Sequence, residues 1–186
     1  MNKIIPLRVL AAATSLGVAV FLLVVFVLQA AQPDYDPRAQ FMSELALGAW
    51  GAWMLLAFAG LSLAAAATAL NLYARAGARL LSALLAFAAV LFLATGVVTL
   101  ADSALAHLVF IACAFIASGT AMYLLPRAVA VFAGIEGYVV SWGCGLVMCG
   151  AVAQGDRFIQ PGIAQRVAAC ALLCWFLYVA RQLARR

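Results

Sequence analysis

The sequence predicts an all-α polytopic membrane protein: a bundle of six transmembrane helices with a short extracytoplasmic interfacial helix, built as one domain over residues 1–186. Three observations predict it. Hydrophobic residues make up 69% of the chain and charged residues 9%, with a mean hydropathy of +1.15, whereas soluble domains carry about 25% charged residues. The apolar residues fall into six runs of about 20, the length that crosses a bilayer. The basic residues collect in alternate gaps between those runs, as membrane insertion demands. A soluble core cannot absorb so much apolar surface, whereas in lipid a helix satisfies its own backbone and needs no water around it.

The first run covers about 8–30. Lys3 and Arg8 precede it as they would a secretory signal, but it is too long for a signal's apolar region, and Leu28-Gln29-Ala30 lacks the small residue that cleavage prefers. It is expected to stay as the first crossing. After Pro33-Asp34-Tyr35-Asp36-Pro37, Asp36 as N-cap and Pro37 at the first helical position predict the interfacial helix. Phe41 and Leu45 would lie on the membrane surface, with Arg38 and Glu44 turned elsewhere. The second crossing is expected at about 46–72 and the third at about 79–100, separated by the arginine-bearing gap 75–79. The fourth, about 104–125, follows Asp102-Ser103, and the fifth, about 134–153, follows Pro126-Arg127. Glu136 interrupts the start of the fifth and is expected to pair with Arg127 or Arg79. The sixth, about 164–183, follows the polar gap 154–162.

Eight of the eleven basic residues (Lys3, Arg8, Arg75, Arg79, Arg127, Arg181, Arg185, Arg186) fall on one side of this scheme, and Arg38, Arg157 and Arg166 on the other. The positive-inside rule then places both termini in the cytoplasm of a bacterial inner membrane. The net charge of +5 is scattered rather than gathered on a face, which excludes nucleic acid as a partner. Glycines at 48 and 51 on the second helix, and at 143, 145 and 150 on the fifth, are expected at helix–helix contacts. The five cysteines (Cys113, Cys144, Cys149, Cys170, Cys174) form no C-x-x-C or zinc-type spacing. Buried packing is their expected role, with one inter-helix disulfide, Cys149–Cys170, as the alternative.

Ionisable groups inside a bilayer are costly and usually face the protein. Here the polar residues concentrate at the outer helix ends: Arg38, Gln40, Ser43 and Glu44, then Thr95, Thr99, Asp102 and His107, then Gln154, Asp156, Arg157, Gln165 and Arg166. Glu44, Gly48 and Gly51 stand at i, i+4, i+7, so the carboxylate continues the glycine stripe and is expected to look inward. Thr95, Thr99 and Asp102 repeat that spacing below His107. The functional reading has Glu44, Asp102, His107 and Arg166 converging on an extracytoplasmic pocket for a lipid headgroup or another amphipathic ligand. The plainer reading has Asp102 capping the fourth helix, Glu44 paired with Arg166, and His107 hydrogen-bonded at the interface. One histidine is too few for a metal hydrolase, and no cofactor is expected.

The segment Phe41-Met42-Ser43-Glu44-Leu45, following Pro-x-Tyr and leading to a glycine, resembles the I-S-E-L-G signature of the membrane proteins catalogued as domain of unknown function family 998. His107, Gly162-Ile163-Ala164-Gln165-Arg166 and Trp175 resemble that family's later landmarks. Met42 stands where isoleucine is usual, and the glycine is displaced to Gly48. The resemblance implies a six-helix bacterial membrane protein and marks Ser43, Glu44, His107, Gln165 and Arg166; it implies no reaction. Together with Asp102 these are the candidate ligand-binding residues, none of them assigned as catalytic. Binding of a membrane lipid or a partner protein is the first functional expectation. The second is a small membrane enzyme with His107 as acid or base, and the third a subunit of a homodimeric transporter.

Overall fold

The computed structural model describes residues 7–185, so Lys3 and Arg186 of the basic count lie outside the described residues. Within them the chain is 84% helical, without strands. The helices are α1 (Leu7–Ala31), α2 (Met54–Ala76), α3 (Arg79–Val97), α4 (Leu100–Ala128), α5 (Ile135–Ala153) and α6 (Pro161–Ala184). All six are long and apolar enough to cross a membrane. Consecutive helices pack side by side, and α6 returns to α1 and also touches α2, so the bundle closes into a ring.

The tightest crossing is α1 on α2. Built on Gly17, a β-carbon would strike Gly60 O and lie 2.8 Å from Ala64 N; built on Gly60, it would lie 2.7 Å from Gly17 O. Backbones this close need glycine on both sides. One turn further along the same seam, the Thr14 and Thr68 hydroxyls meet at 3.2 Å, each also on its own helix's carbonyl four residues back. Aromatic side chains contribute to the core: Phe92, Trp175 and Phe176 are buried on α3 and α6, Phe132 is buried at the α4–α5 connection, and Trp175 Nε1 donates to Ser141 Oγ at 3.1 Å. At the end holding both described chain termini, Arg75 Nη1 reaches Leu183 O at 3.0 Å and joins the last turns of α2 and α6.

The largest departure from expectation lies between α1 and α2. The interfacial helix from Pro37 does not form. Asp36 Oδ1 accepts from Arg38 N, Gln40 N donates to Asp36 O, and Gln40 Oε1 accepts from Asp36 N, which closes a turn. A 3₁₀ segment, Met42–Leu47, follows. Gly48 is extended, Trp50 is left-handed at φ 64°, and a short 3₁₀ turn, Gly51–Trp53, leads into α2. The second crossing therefore begins several residues later than expected. Leu45, expected on the membrane surface, is completely buried. Glu44, Gly48 and Gly51 share no helix, so the inward stripe read from their spacing does not exist.

Elsewhere the corrections are smaller. Proline at the first position lets α6 start at Pro161 rather than at 164. α4 is continuous through Pro126 to Ala128, but Ser103 is extended (φ −162°, ψ 101°). Ser103 Oγ accepts from Ala106 N at 3.3 Å, so the main run starts at 104, as the sequence suggests, after a separate turn 100–102. Glycines 143 and 150 have no neighbour within 4 Å of a β-carbon, and Gly145 has only ordinary contacts; the expected packing role belongs to Gly17, Gly60 and Gly96. All five cysteines are free, and none is buried: Cys149, Cys170 and Cys174 are exposed and the others intermediate. Glu136 takes Gln182 as its partner, Nε2 to Oε1 at 3.1 Å. Arg127 instead lies over the rings of Tyr123 and Trp142, 4.0 and 4.5 Å from their centroids, and donates to Tyr123 O.

Candidate functional site

The end of the bundle opposite the described termini holds the 32–53 segment, the α3–α4 turn and the α5–α6 loop. Three side chains fasten the first of these. Gln32, buried just beyond α1, donates through Nε2 to Leu45 O (3.0 Å) and Ala49 O (2.7 Å). Arg166, one turn into α6, donates through Nη1 to Gln40 O (3.2 Å) and Gly162 O (2.9 Å), and through Nη2 to Tyr35 Oη (2.7 Å). The phenol in turn donates to Phe41 O at 3.0 Å. Burial raises the Tyr35 hydroxyl above the ordinary tyrosine range, against the pull of Arg166 in the other direction; it therefore keeps this proton throughout the neutral range. Gly162 completes the seam, since a β-carbon there would meet the carbonyl oxygens of Gln40, Arg38 and Pro37.

Replacing Gln32 with leucine leaves two carbonyl oxygens without their donor at nearly constant volume. A loss of about 1–3 kcal/mol in thermal or denaturant unfolding is expected, and an unchanged midpoint would show that the 45–49 carbonyls find other partners.

The candidate residues do not all converge. Glu44 Oε1 accepts from Phe41 N at 2.8 Å and Oε2 from Gln40 Nε2 at 3.4 Å, capping the 3₁₀ segment on the α1 side of the seam. The expected Glu44–Arg166 pair does not form: the guanidinium is turned to Tyr35 Oη, Gln40 O and Gly162 O, and Glu44 to Phe41 N and Gln40. Asp102 Oδ2 accepts from Thr99 N (2.9 Å) and Thr99 Oγ1 (2.8 Å) at the first turn of α4, the capping role foreseen for it. Thr99 thus begins α4 rather than ending α3, and the polar stripe on α3 reduces to Thr95, which bonds Leu91 O.

Ser43, His107 and Gln165 do face a common space. All three line one cavity of about 600 Å³ between α4, α5 and α6, whose apolar walls include Leu108, Ile111, Phe115 and Val152. A narrow extension of about 30 Å³ continues past the same three side chains towards Phe21, Met54 and Phe58. His107 is 2% exposed and packs edge-on to Phe58. Its Nδ1 lies 2.8 Å from Val98 O, and a carbonyl only accepts, so Nδ1 carries a proton and Nε2 is the nitrogen that bears the lone pair when the ring holds one proton. Gln165 Oε1 takes the Met42 N–H at 2.5 Å, which fixes the amide and leaves its NH₂ as donor. Among the described residues, Ser43 Oγ, His107 Nε2 and Gln165 Nε2 have no hydrogen-bond partner. The cavity is an apolar sleeve with one acceptor, one donor and one hydroxyl at its head.

Sequence reasoning missed Gln32, Tyr35 and Val98. A polar residue placed directly between an apolar helix and a proline signals the first, and the Pro-x-Tyr element signals the second. Val98 contributes only its carbonyl, which leaves no mark in a sequence.

Six apolar helices closed into a ring, with a polar-headed cavity at one end, define a multi-pass membrane protein. The family model described as "Protein of unknown function (DUF998)" matches residues 15–182, and the chain belongs to that family. No curated protein and no solved structure matches it.

Proposed function

We propose that the protein binds a lipid in the cavity between α4, α5 and α6, with the polar end on Ser43, His107 and Gln165 and the apolar part against Leu108, Ile111, Phe115 and Val152. The observation that carries this reading is that three polar side chains, each with one atom that has no protein partner, line the same largely apolar cavity. All three atoms are accessible from the cavity, so an occupant that hydrogen-bonds them meets donors and acceptors that the protein itself leaves open. The volume falls in the range of small-molecule sites, about 300–1,000 Å³. With both termini in the cytoplasm of the inner membrane, as the distribution of basic residues favours, the cavity opens in the outer leaflet.

The test is native mass spectrometry of protein purified in mild detergent. Wild type is expected to retain lipid. Ala112→Trp, which fills the cavity from an exposed position on α4, is expected to lose it while keeping its helix content. Equal lipid retention by the two proteins would refute the reading.

A second reading, a small membrane enzyme with His107 as base, draws on the Val98-held tautomer that leaves the His107 lone pair in the same cavity as the Ser43 hydroxyl. Labelling of Ser43 by a fluorophosphonate, lost on His107→Ala, would support it; labelling no greater than in Ser43→Ala would end it.

A further inference from the structure

The cavity's charges restrict which lipid it takes. None of the residues lining it is a lysine or arginine, and the one charged residue at its rim is Asp156, exposed on the α5–α6 loop. Arg166, the adjacent residue to Gln165, turns the other way. Its guanidinium is held by Tyr35, Gln40 and Gly162, and the side chain borders a separate groove against α5 with Val139, Cys144 and Cys170. Arg157, next to Asp156, does not line the cavity. A helix N-terminus is the other common anion site, and α6 begins at this cavity. Its first turn offers little: Pro161 has no N–H, Ile163 N donates to Arg38 O at 3.2 Å and Ala164 N to Gln160 O at 3.0 Å, which leaves only the single amide of Gly162. A phosphate brought here would be desolvated beside a carboxylate with no countercharge, which is strongly unfavourable.

The three polar atoms specify the rest of the head. His107 Nε2 accepts and therefore asks for a hydroxyl proton; Gln165 Nε2 donates and therefore asks for a carbonyl oxygen; Ser43 Oγ serves either. We infer that the ligand is an uncharged lipid whose head carries a hydroxyl next to an ester carbonyl, as a diacylglycerol does, and that anionic phospholipids are rejected. The inference rests on the lipid-binding reading of the same cavity and names the class of lipid.

Two photoreactive probes with identical acyl chains, a diacylglycerol and the matching phosphatidic acid, separate the possibilities, because they differ only in a hydroxyl against a phosphate. Each is incorporated at the same density in nanodiscs holding the full-length protein, irradiated, and mapped to peptides by mass spectrometry. The diacylglycerol probe is expected to label α4 and α6 peptides lining the cavity at least about tenfold more than the phosphatidic acid probe, the ratio that corresponds to about 1.4 kcal/mol. Ser43→Ala, which loses no bond within the protein, is expected to lower diacylglycerol labelling by roughly two- to tenfold. His107→Phe, a second variant of similar shape, is expected to do the same. Equal or stronger labelling of the cavity by phosphatidic acid would overturn the inference and leave lipid binding standing. Labelling of the cavity by neither probe would overturn both.

Discussion

Arg166→Ala is expected to lower the unfolding free energy by about 2–4 kcal/mol and to empty the cavity as well. The guanidinium supplies three hydrogen bonds, to Gln40 O, Gly162 O and Tyr35 Oη, and bonds from charged donors are worth about 1.5–3 kcal/mol each before solvent exposure reduces them. Its removal also frees the 35–43 strand of chain that carries Ser43, which Arg166 and the Gln165–Met42 bond together hold against α6. Lysine at this position keeps the charge but not the fork, so Arg166→Lys is expected to restore less than half of the loss. Arg157→Ala, an exposed arginine without a side-chain bond among the described residues, is expected to stay within about 0.5 kcal/mol of wild type. Thermal unfolding in detergent with lipid retention read in parallel makes the comparison. Loss of stability with the lipid fully retained would mean that Arg166 holds the loop without holding the site.

Gly60→Val is expected to be the most damaging single change inside the bundle. Its β-carbon would lie 2.7 Å from Gly17 O and 3.1 Å from Phe21 N, both backbone atoms of α1. A side chain could rotate away from such a clash, but a helix backbone cannot. Overpacking in cores costs about 1–3 kcal/mol, and the upper end or beyond is expected here because the whole α1–α2 seam, including the Thr14–Thr68 contact, must open. Gly143→Ala provides the contrast: its β-carbon meets open space, and gaining a better helix former changes stability by about 1 kcal/mol in the favourable direction. Similar melting of the two variants would refute the assignment of the close crossing to Gly17 and Gly60.

Much of this fold could be read from the sequence because lipid imposes a simple rule on length and polarity. Five of the six crossings lie within a few residues of where hydropathy puts them. The exception, the entry to α2, turns on Gly48, the left-handed Trp50 and the capping of Phe41 by Glu44, local backbone choices that an apolar run conceals. The same run suggested a helix, and with it an inward stripe that does not form. Glycine spacing gave no guidance about which glycines touch, since Gly143 and Gly17 differ only in what stands opposite them. Within the site, His107 belonged to the set expected to converge with Glu44, Asp102 and Arg166, whereas Ser43 and Gln165, the residues that share its cavity, were marked only as outer-end polar residues and by the family resemblance. The partners of Glu44 and Arg166 were not legible, because those partners are Tyr35, Gln40 and main-chain atoms rather than each other.

The most direct test of the account is an experimental structure of the protein in a lipid nanodisc at a resolution that shows bound lipid. An elongated density is expected between α4, α5 and α6, with its polar end within hydrogen-bond distance of Ser43 Oγ, His107 Nε2 and Gln165 Nε2. A cavity closed by contact of α4 with α6, or one whose occupant turns its polar end away from these three atoms, would contradict it.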